Sequence, residues 1–168
     1  MPIDDEPVLG RTFDPGDLSE GSLDDRIRRL VASQPYAVLC TAGREQPYGS
    51  LVAFAFADDL CTAVFATPVS TRKYKLLTEN QKVALLVDNR PEHPGRMMEV
   101  EAVTATGRSV EITAGPDLDR YAQLLVARHP HLKAFVAADS CALFRMTITR
   151  FFHVSRFQEV KQWVPGSP

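Results

Sequence analysis

The chain lacks the features that place a protein in a membrane or on nucleic acid. No apolar run approaches the roughly 20 residues that a helix needs to span a bilayer. The 168 residues carry a formal net charge of −2, so there is no basic excess to attract nucleic acid or an anionic membrane surface. The N-terminus has neither the basic nor the apolar segment of a signal peptide. We therefore expect a cytoplasmic protein without nucleic-acid or membrane partners.

Cysteine is scarce as well. Cys40, Cys61 and Cys141 form no close pair and no metal-ligand spacing, and all three fall in predicted strands. This favours buried free thiols over disulfides. His129 and His131 flank a proline, but no further ligands of zinc-site type accompany them, so we predict no metal. The sequence also has no glycine-rich nucleotide loop and no nucleophile constellation, so the catalytic residues remain unidentified.

What remains is the composition of an ordinary globular protein, with 45% hydrophobic and 24% charged residues. Residues 1–20 are acidic and rich in proline and glycine, which predicts a flexible arm. Residues 21–164 form one predicted domain, because no convincing linker interrupts them. Residues 165–168 are predicted to be a tail.

Hydrophobic periodicity predicts a mainly β protein with flanking helices. An apolar stripe predicts a helix over residues 23–33 with Ser22 as its N-cap. Gly107 lies inside a long predicted strand, where it indicates a bulge or a barrel bend. Six alternating strands with short connections predict a closed or nearly closed antiparallel barrel. The predicted strands are residues 36–41, 48–57, 60–66, 82–88, 98–113 and 141–157, and the remaining predicted helices are residues 74–79, 116–128 and 131–137.

Polar residues of the later strands have structural interpretations. His153 lies in the last predicted strand, where a satisfied strand histidine is expected rather than a proton donor. Glu99 and Glu101 are two residues apart in a predicted strand and therefore share one face. We expect that face to be solvated.

The most informative segment runs from Phe65 to Lys73, where a strand gives way to a helix. A helix start presents unpaired N–H groups and a partial positive charge, so adding Arg72 and Lys73 there is locally unfavourable. The arrangement is explained if an anion binds at this point, and a phosphate is the usual one. The alternative is a solvated basic helix turn capped by Ser70, and these residues alone leave both interpretations open.

The order of motifs around this segment resembles the FMN-binding split-barrel proteins related to pyridoxamine 5'-phosphate oxidase. Thr67 ends a strand, Ser70-Thr71-Arg72-Lys73 opens a helix, and Asn80–Leu85 leads into an apolar strand. The resemblance covers roughly residues 24–164 and is sharpest over residues 60–90. It implies a six-stranded antiparallel split β-barrel, and a homodimer that binds FMN in two equivalent grooves at the subunit interface.

The resemblance also implies a cofactor site. It assigns the FMN phosphate to the end of strand three and the start of the following helix. Strand two would run along the ribityl chain and the flavin ring, and the partner subunit would close the site. The implied cofactor-binding residues are Ser50, Leu51, Val52, Ala53, Ala66, Thr67, Ser70, Thr71, Arg72 and Lys73, with Asn89 and Trp163 from the partner subunit.

Two departures from the family pattern concern the substrate. The oxidase uses an Arg and a Lys on strand two, whereas this chain has Ser50–Phe54 there and no cation. The oxidase also has an Arg-x-His segment near its C-terminus, which Phe152–Phe157 does not match. The implied function is therefore FMN-dependent oxidoreduction of an unidentified small molecule rather than pyridoxamine-phosphate oxidation. A non-catalytic flavin-binding or sensing protein, a haem-binding or haem-degrading relative, and a deazaflavin in place of FMN are the alternatives.

Overall fold

The computed structural model describes residues 21–43, 45–156 and 159–166. Short 3₁₀ turns occupy Arg90–Glu92, Met97–Glu99 and Pro130–Leu132. The helices and strands are α1 (Leu23–Ser33), β1 (Tyr36–Gly43), β2 (Gln46–Phe56), β3 (Thr62–Pro68), α2 (Arg72–Glu79), β4 (Lys82–Asp88), β5 (Ala102–Ile112), α3 (Pro116–Arg128), α4 (Lys133–Val136), β6 (Cys141–Ser155) and β7 (Glu159–Trp163).

Six antiparallel strands close into a barrel, which confirms the predicted fold. The sheet order is β3-β2-β1-β4-β5-β6-β7, and β3 also pairs with β6. The ladder between β5 and β6 shifts register at Thr106 and Gly107, so the predicted irregularity is confirmed. A Cβ atom at residue 107 would lie 2.1 Å from the carbonyl oxygen of Thr147. Only glycine therefore allows the two strands to approach so closely at this bend.

Aromatic and aliphatic side chains that alternate along the strands fill the barrel. Phe65 and Phe144 stack at its centre, with ring centroids 5.6 Å apart. Helix α2, which connects β3 to β4, buries Leu76 and Leu77 against the barrel. Helix α3 packs on the outer side of β2 and β3, where Leu125 is fully buried. The start of α2 and the inner side of α3 are thus both fixed next to β2 and β3.

The predicted strands are wrong in two places. No strand was predicted over Glu159–Trp163, but this segment forms β7, because it pairs with β6 in register from Phe151 to Ser155. The strand predicted from residue 98 begins only at Ala102, because residues 97–99 turn as a 3₁₀ helix.

Two smaller expectations also need correction. Ser22 occupies the N-cap position of α1 as predicted, and its carbonyl accepts from the N–H of Arg26 at 3.1 Å. Its hydroxyl, however, accepts from no backbone N–H and donates instead to the carboxylate of Asp25 at 2.8 Å. The three cysteines are free, as predicted, but they are not all buried. Cys40 is exposed, because its position in the alternation of β1 points away from the core. Cys61 lies in the turn before β3 rather than in a strand.

The predicted arm, residues 1–20, lies outside the described residues, as does the end of the predicted tail. Within the described ranges, no helix is both long enough and apolar enough to cross a membrane.

Candidate functional site

Two threonines define the corner where β3 meets α2. Thr67 is fully buried at the end of β3, and its Oγ1 lies 3.0 Å from Oγ1 of Thr71. Thr71 is the N-cap of α2: its Oγ1 accepts from the backbone N–H of Tyr74 at 3.1 Å and donates to the carbonyl of Pro68 at 2.9 Å. The capping residue is therefore Thr71, whereas Ser70, which the solvated-turn alternative used, is exposed.

Two cations follow this cap directly. The Nζ of Lys73 donates to the carbonyl oxygen of Leu51 on β2 at 2.9 Å, and partial burial lowers the pKa of this ammonium. The guanidinium of Arg72 lies 4.9 Å from the ring centroid of Tyr48, also on β2. In the described ranges neither cation has a carboxylate within 4.0 Å, and the first turn of α2 contains no acidic residue. The corner thus concentrates positive charge at a helix N-terminus without a counter-charge.

Tyr74 fixes the first turn of α2 to the barrel. Its hydroxyl donates to the carboxylate of Glu111 on β5 at 3.0 Å, and this bond raises the pKa of the tyrosine. Its ring packs edge-on against Phe144, with centroids 6.0 Å apart. Sequence analysis did not identify Glu111, because its 37-residue separation from Tyr74 leaves no local signal.

An apolar cavity of about 360 Å³ adjoins this corner. Its floor is formed mainly by residues on the outer faces of the strands, together with the core-facing Val52. Val52 belongs to the barrel core, whereas Leu51 is 71% exposed, as strand alternation requires. Four residues that the resemblance assigned to the cofactor contribute to the floor together with Tyr36: Leu51, Val52, Ala53 and Ala66. Ser50 does not line the cavity; its Oγ is buried and has no hydrogen-bond partner in the described part of the chain.

The opposite wall comes from the helical segment that follows β5. Leu125 of α3, His131 and Leu132 of the 3₁₀ turn, and Phe135 of α4 line this side. The buried His129 anchors the turn, because its Nε2 lies 2.9 Å from the carbonyl oxygen of Phe54 on β2. Sequence analysis did not identify this wall, although the His-Pro-His break at the end of a helix marked where it begins.

Asn89 and Trp163 do not line this cavity within one chain. The Oδ1 of Asn89 accepts from the backbone N–H of Glu101 at 2.7 Å, beside a separate cleft next to α1. The ring of Trp163 packs on Phe151 with centroids 5.5 Å apart. Their contribution from a partner subunit stays a prediction.

A charged cluster ties α1 to β5 and β6. His153 is fully buried and its Nε2 lies 2.9 Å from Glu101, whose other oxygen accepts from Arg26 at 3.1 Å. The hydrogen bond with His153, followed by the charge of Arg26, lowers the pKa of Glu101 to about 2. The expected satisfied histidine is confirmed only in part, because Nε2 is paired whereas the buried Nδ1 of His153 has no hydrogen-bond partner in the described part of the chain. The expected solvated face is wrong for Glu101, because this residue lies beneath α1 rather than on an outer strand face.

Comparisons with known proteins agree with this architecture. A family model described as pyridoxamine 5'-phosphate oxidase matches residues 23–155. No curated protein matches the chain. A heme-binding protein from Mycobacterium smegmatis shares the fold with a TM-score of 0.76 and 14% identity, covering 86% of this chain but only 58% of that protein.

Two further solved structures match over most of their own length. An FAD-binding protein from Mesorhizobium loti has a TM-score of 0.63 and 18% identity, covering 77% of this chain and 90% of that one. A protein related to general stress protein 26, of the pyridoxinephosphate oxidase family, from Clostridium acetobutylicum has a TM-score of 0.66 and 13% identity. The match covers 83% of this chain and 92% of that one. At such identities the likeness shows the fold alone, and the two proteins whose descriptions name a bound group differ in it, heme in one and FAD in the other.

Proposed function

This chain belongs to the pyridoxamine 5'-phosphate oxidase family, and from that premise we propose that it is an FMN-binding flavoprotein that acts as an oxidoreductase on a small molecule. The observation that carries the proposal is the charge of Arg72 and Lys73 at the start of α2, which no carboxylate in the described part of the chain compensates. Partial burial removes water from Lys73 and supplies only the neutral carbonyl of Leu51 in return. A bound phosphate would provide the missing negative charge.

The corner has the donors that a phosphate needs. Arg72 offers a planar fork and Lys73 a point charge, and the N–H groups of the first helical turn lie beside them. The hydroxyls of Thr67 and Thr71 shape the corner but donate within it, to Thr71 and to the carbonyl of Pro68. Charge-assisted hydrogen bonds of the kind that Arg72 and Lys73 can form contribute about 1.5–3 kcal/mol each. The corner can therefore hold the phosphate of FMN more firmly than neutral hydrogen bonds alone.

The apolar cavity suits the other end of the cofactor. Lys73 contacts the backbone of Leu51, and Ala53 lies two residues further along the same strand, so the corner and the cavity floor are continuous. Ala53 and Ala66 are small, which allows a flat ring to approach the strand backbone closely. Bound FMN would supply the hydride or electron transfer. The residues of the chain would bind it, orient it and exclude water from it.

The proposal includes a homodimer with one FMN in each of two interface grooves. Leu51 and Tyr36, both on the cavity floor, are 71% and 55% exposed in the single chain. Apolar side chains at this exposure suit contact with a second copy. Asn89 and Trp163 of the partner subunit would complete each groove.

The first experiment measures FMN binding. We expect one FMN per chain and the two-band absorption spectrum of a flavoprotein. Replacing both Arg72 and Lys73 by Ala should weaken binding at least about a hundredfold, since two charge-assisted interactions are lost. Lys75→Ala is the matched control, because Lys75 lies on the same helix but is exposed and lies 4.0 Å from Glu79. Its FMN affinity should stay within about twofold of the native value.

Other outcomes separate the alternatives. Stoichiometric FMN in the double variant would overturn the phosphate assignment. A sharp Soret band after addition of haemin, without any flavin binding, would favour a haem-binding relative. Rapid reduction of the bound flavin by NADH or NADPH supports an enzyme, whereas flavin that none of the donors tested reduces supports a binding or sensing role.

A further inference from the structure

The helical wall of the cavity is apolar. Leu125, Leu132 and Phe135 form most of it, and His131 is its one polar side chain. In the described part of the chain, no Lys, Arg, Asp or Glu lines either this wall or the strand floor opposite. A ligand in the cavity would therefore meet mainly hydrocarbon on both sides, with the phenol of Tyr36 on the floor and the imidazole of His131 at the rim as polar groups.

Lys133 lies within this segment, next to Leu132, but it is exposed and does not line the cavity. Two further cations near the wall, Arg128 and Arg145, are engaged elsewhere. Arg128 donates to the carbonyls of Val31 and Gln34 at 2.6 and 2.5 Å, where it caps the C-terminus of α1. Its guanidinium also lies 4.7 Å from the ring centroid of Phe54. Arg145 lies 3.5 Å from Asp117 at the other end of α3. Neither side chain can enter the cavity without giving up these contacts.

The wall is held in place before any ligand binds. His129 is buried and reaches the carbonyl of Phe54, while Pro130 restricts the backbone immediately before His131. The backbone N–H of His129 also donates to the carbonyl of Leu125 at 2.9 Å. The imidazole of His131 is thus presented at the rim by a turn that is fixed to β2 and α3.

We propose that this wall, formed by Leu125, His131, Leu132 and Phe135, is the substrate subsite and that it selects uncharged, flat aromatic molecules with one hydrogen-bonding group. The inference rests on the proposed flavin site, because the subsite faces the strands assigned to the flavin ring. Burial of a flat ring against leucine and phenylalanine is favourable because it removes apolar surface from water. The imidazole of His131 can form one hydrogen bond with a polar substituent on that ring. When FMN occupies the corner, a phosphorylated substrate would lose the hydration of its charge and find no Lys or Arg among the residues that line the subsite.

The test uses a matched pair of probes, 2-naphthol and 2-naphthyl phosphate, which share a ring and differ by the phosphate. Isothermal titration of the FMN-loaded protein should show 2-naphthol binding at least about tenfold tighter. His131→Arg places a cation at the rim and should raise the affinity for the phosphate ester at least about tenfold. Ala134→Arg is the control: this position is exposed on the same segment but does not line the cavity, so the preference should not change.

The outcomes distinguish this inference from the flavin assignment. Equal or tighter binding of 2-naphthyl phosphate to the native protein would overturn the inference even if FMN binds as proposed. If His131→Arg and Ala134→Arg raised the affinity for 2-naphthyl phosphate equally, the inference would also be overturned, since the added charge would then attract the ester without regard to its position at the cavity. If the protein binds no FMN, the proposed function fails, and the same titration of the flavin-free Arg72→Ala, Lys73→Ala variant, whose corner cannot attract the phosphate ester, decides whether the wall selects uncharged rings.

Discussion

At the scale of the residue, two charged sites in this chain show opposite arrangements. Glu101 is partly buried and fully paired, with His153 on one oxygen and Arg26 on the other. Lys73 is also partly buried, but a neutral carbonyl is its only described acceptor. The described residues neutralise Glu101, which therefore serves structure, whereas they leave Lys73 without a counter-charge, which supports the proposed phosphate site.

Glu101 should make stability depend on pH in the acid range. Its pKa falls from 4.5 in the unfolded chain to about 2 in the folded one, so its stabilisation is complete above about pH 4.5 and is lost as the pH falls toward 2. We expect Glu101→Gln to lower the free energy of unfolding by about 1–2 kcal/mol at neutral pH, allowing for the partial exposure of the carboxylate. Urea unfolding at pH 6 and at pH 3 measures this.

Glu99→Gln is the control for this prediction. Glu99 is exposed on a 3₁₀ turn and pairs at the surface with Arg96, so its removal should change stability by less than about 0.5 kcal/mol. If Glu101→Gln lowers the free energy of unfolding, relative to the native protein, by as much at pH 3 as at pH 6, then the ionised carboxylate is not the source of the stabilisation.

Residues that lie close together in the sequence were predictable, and those brought together by the fold were not. Thr71, Arg72 and Lys73 are consecutive, so their charge and hydroxyl are visible as one motif. The contact of Lys73 with Leu51 spans 22 residues and that of Tyr74 with Glu111 spans 37. No local pattern records such contacts, because they depend on how the barrel closes.

At the scale of the element, the barrel depends on a bend in its longest pairing. Strands β5 and β6 run together over almost their whole length and change register at Gly107. The absence of a side chain there lets Thr147 approach, and the bend lets β6 pair with both β5 and β3.

Gly107→Ala should therefore destabilise the protein. Its Cβ would lie 2.1 Å from a backbone oxygen that no rotamer change can move. We expect a loss of about 2–3 kcal/mol in the free energy of unfolding, measured by urea denaturation. Gly49→Ala on β2 is the matched strand control, since its Cβ would lie 3.4 Å from a side-chain carbon of Val38 and should cost less than about 1 kcal/mol. Equal losses in the two variants would contradict the close-approach argument.

Most helices and strands were predictable because their apolar residues recur with a clear helical or strand periodicity. Helix α1 matches its predicted bounds, and β4 matches as well. Strand β7 was missed because Glu159–Trp163 carries mixed polar residues and becomes a strand only through its pairing with β6. The start of β5 was misplaced because residues 97–99 read as part of a strand but form a turn.

At the scale of the whole molecule, the proposed site requires two copies of the chain. The corner and the cavity floor belong to one protomer, while Trp163 packs away from them in the same chain. If FMN binds at the interface, each groove combines the corner of one subunit with Trp163 of the partner subunit.

Subunit mixing tests this arrangement. One chain carries Arg72→Ala with Lys73→Ala, and the other carries Trp163→Leu. Each alone should bind FMN weakly in both grooves. A mixed dimer, isolated with two affinity tags, should recover native affinity in a single groove, because one groove then combines the intact corner with the intact tryptophan. Circular dichroism and sedimentation confirm that both variants fold and associate. If the mixed dimer binds FMN no more tightly than either variant homodimer, the corner and Trp163 do not share a groove.

The central claim is that the cationic corner binds the phosphate of FMN, and the most direct measurement compares FMN with riboflavin, which lacks the phosphate. In the native protein FMN should bind at least about a hundredfold tighter than riboflavin. In the Arg72→Ala, Lys73→Ala variant the two affinities should converge, while riboflavin binding itself stays unchanged. If the double variant keeps the full preference for FMN, or loses affinity for both flavins equally, the corner does not bind the phosphate.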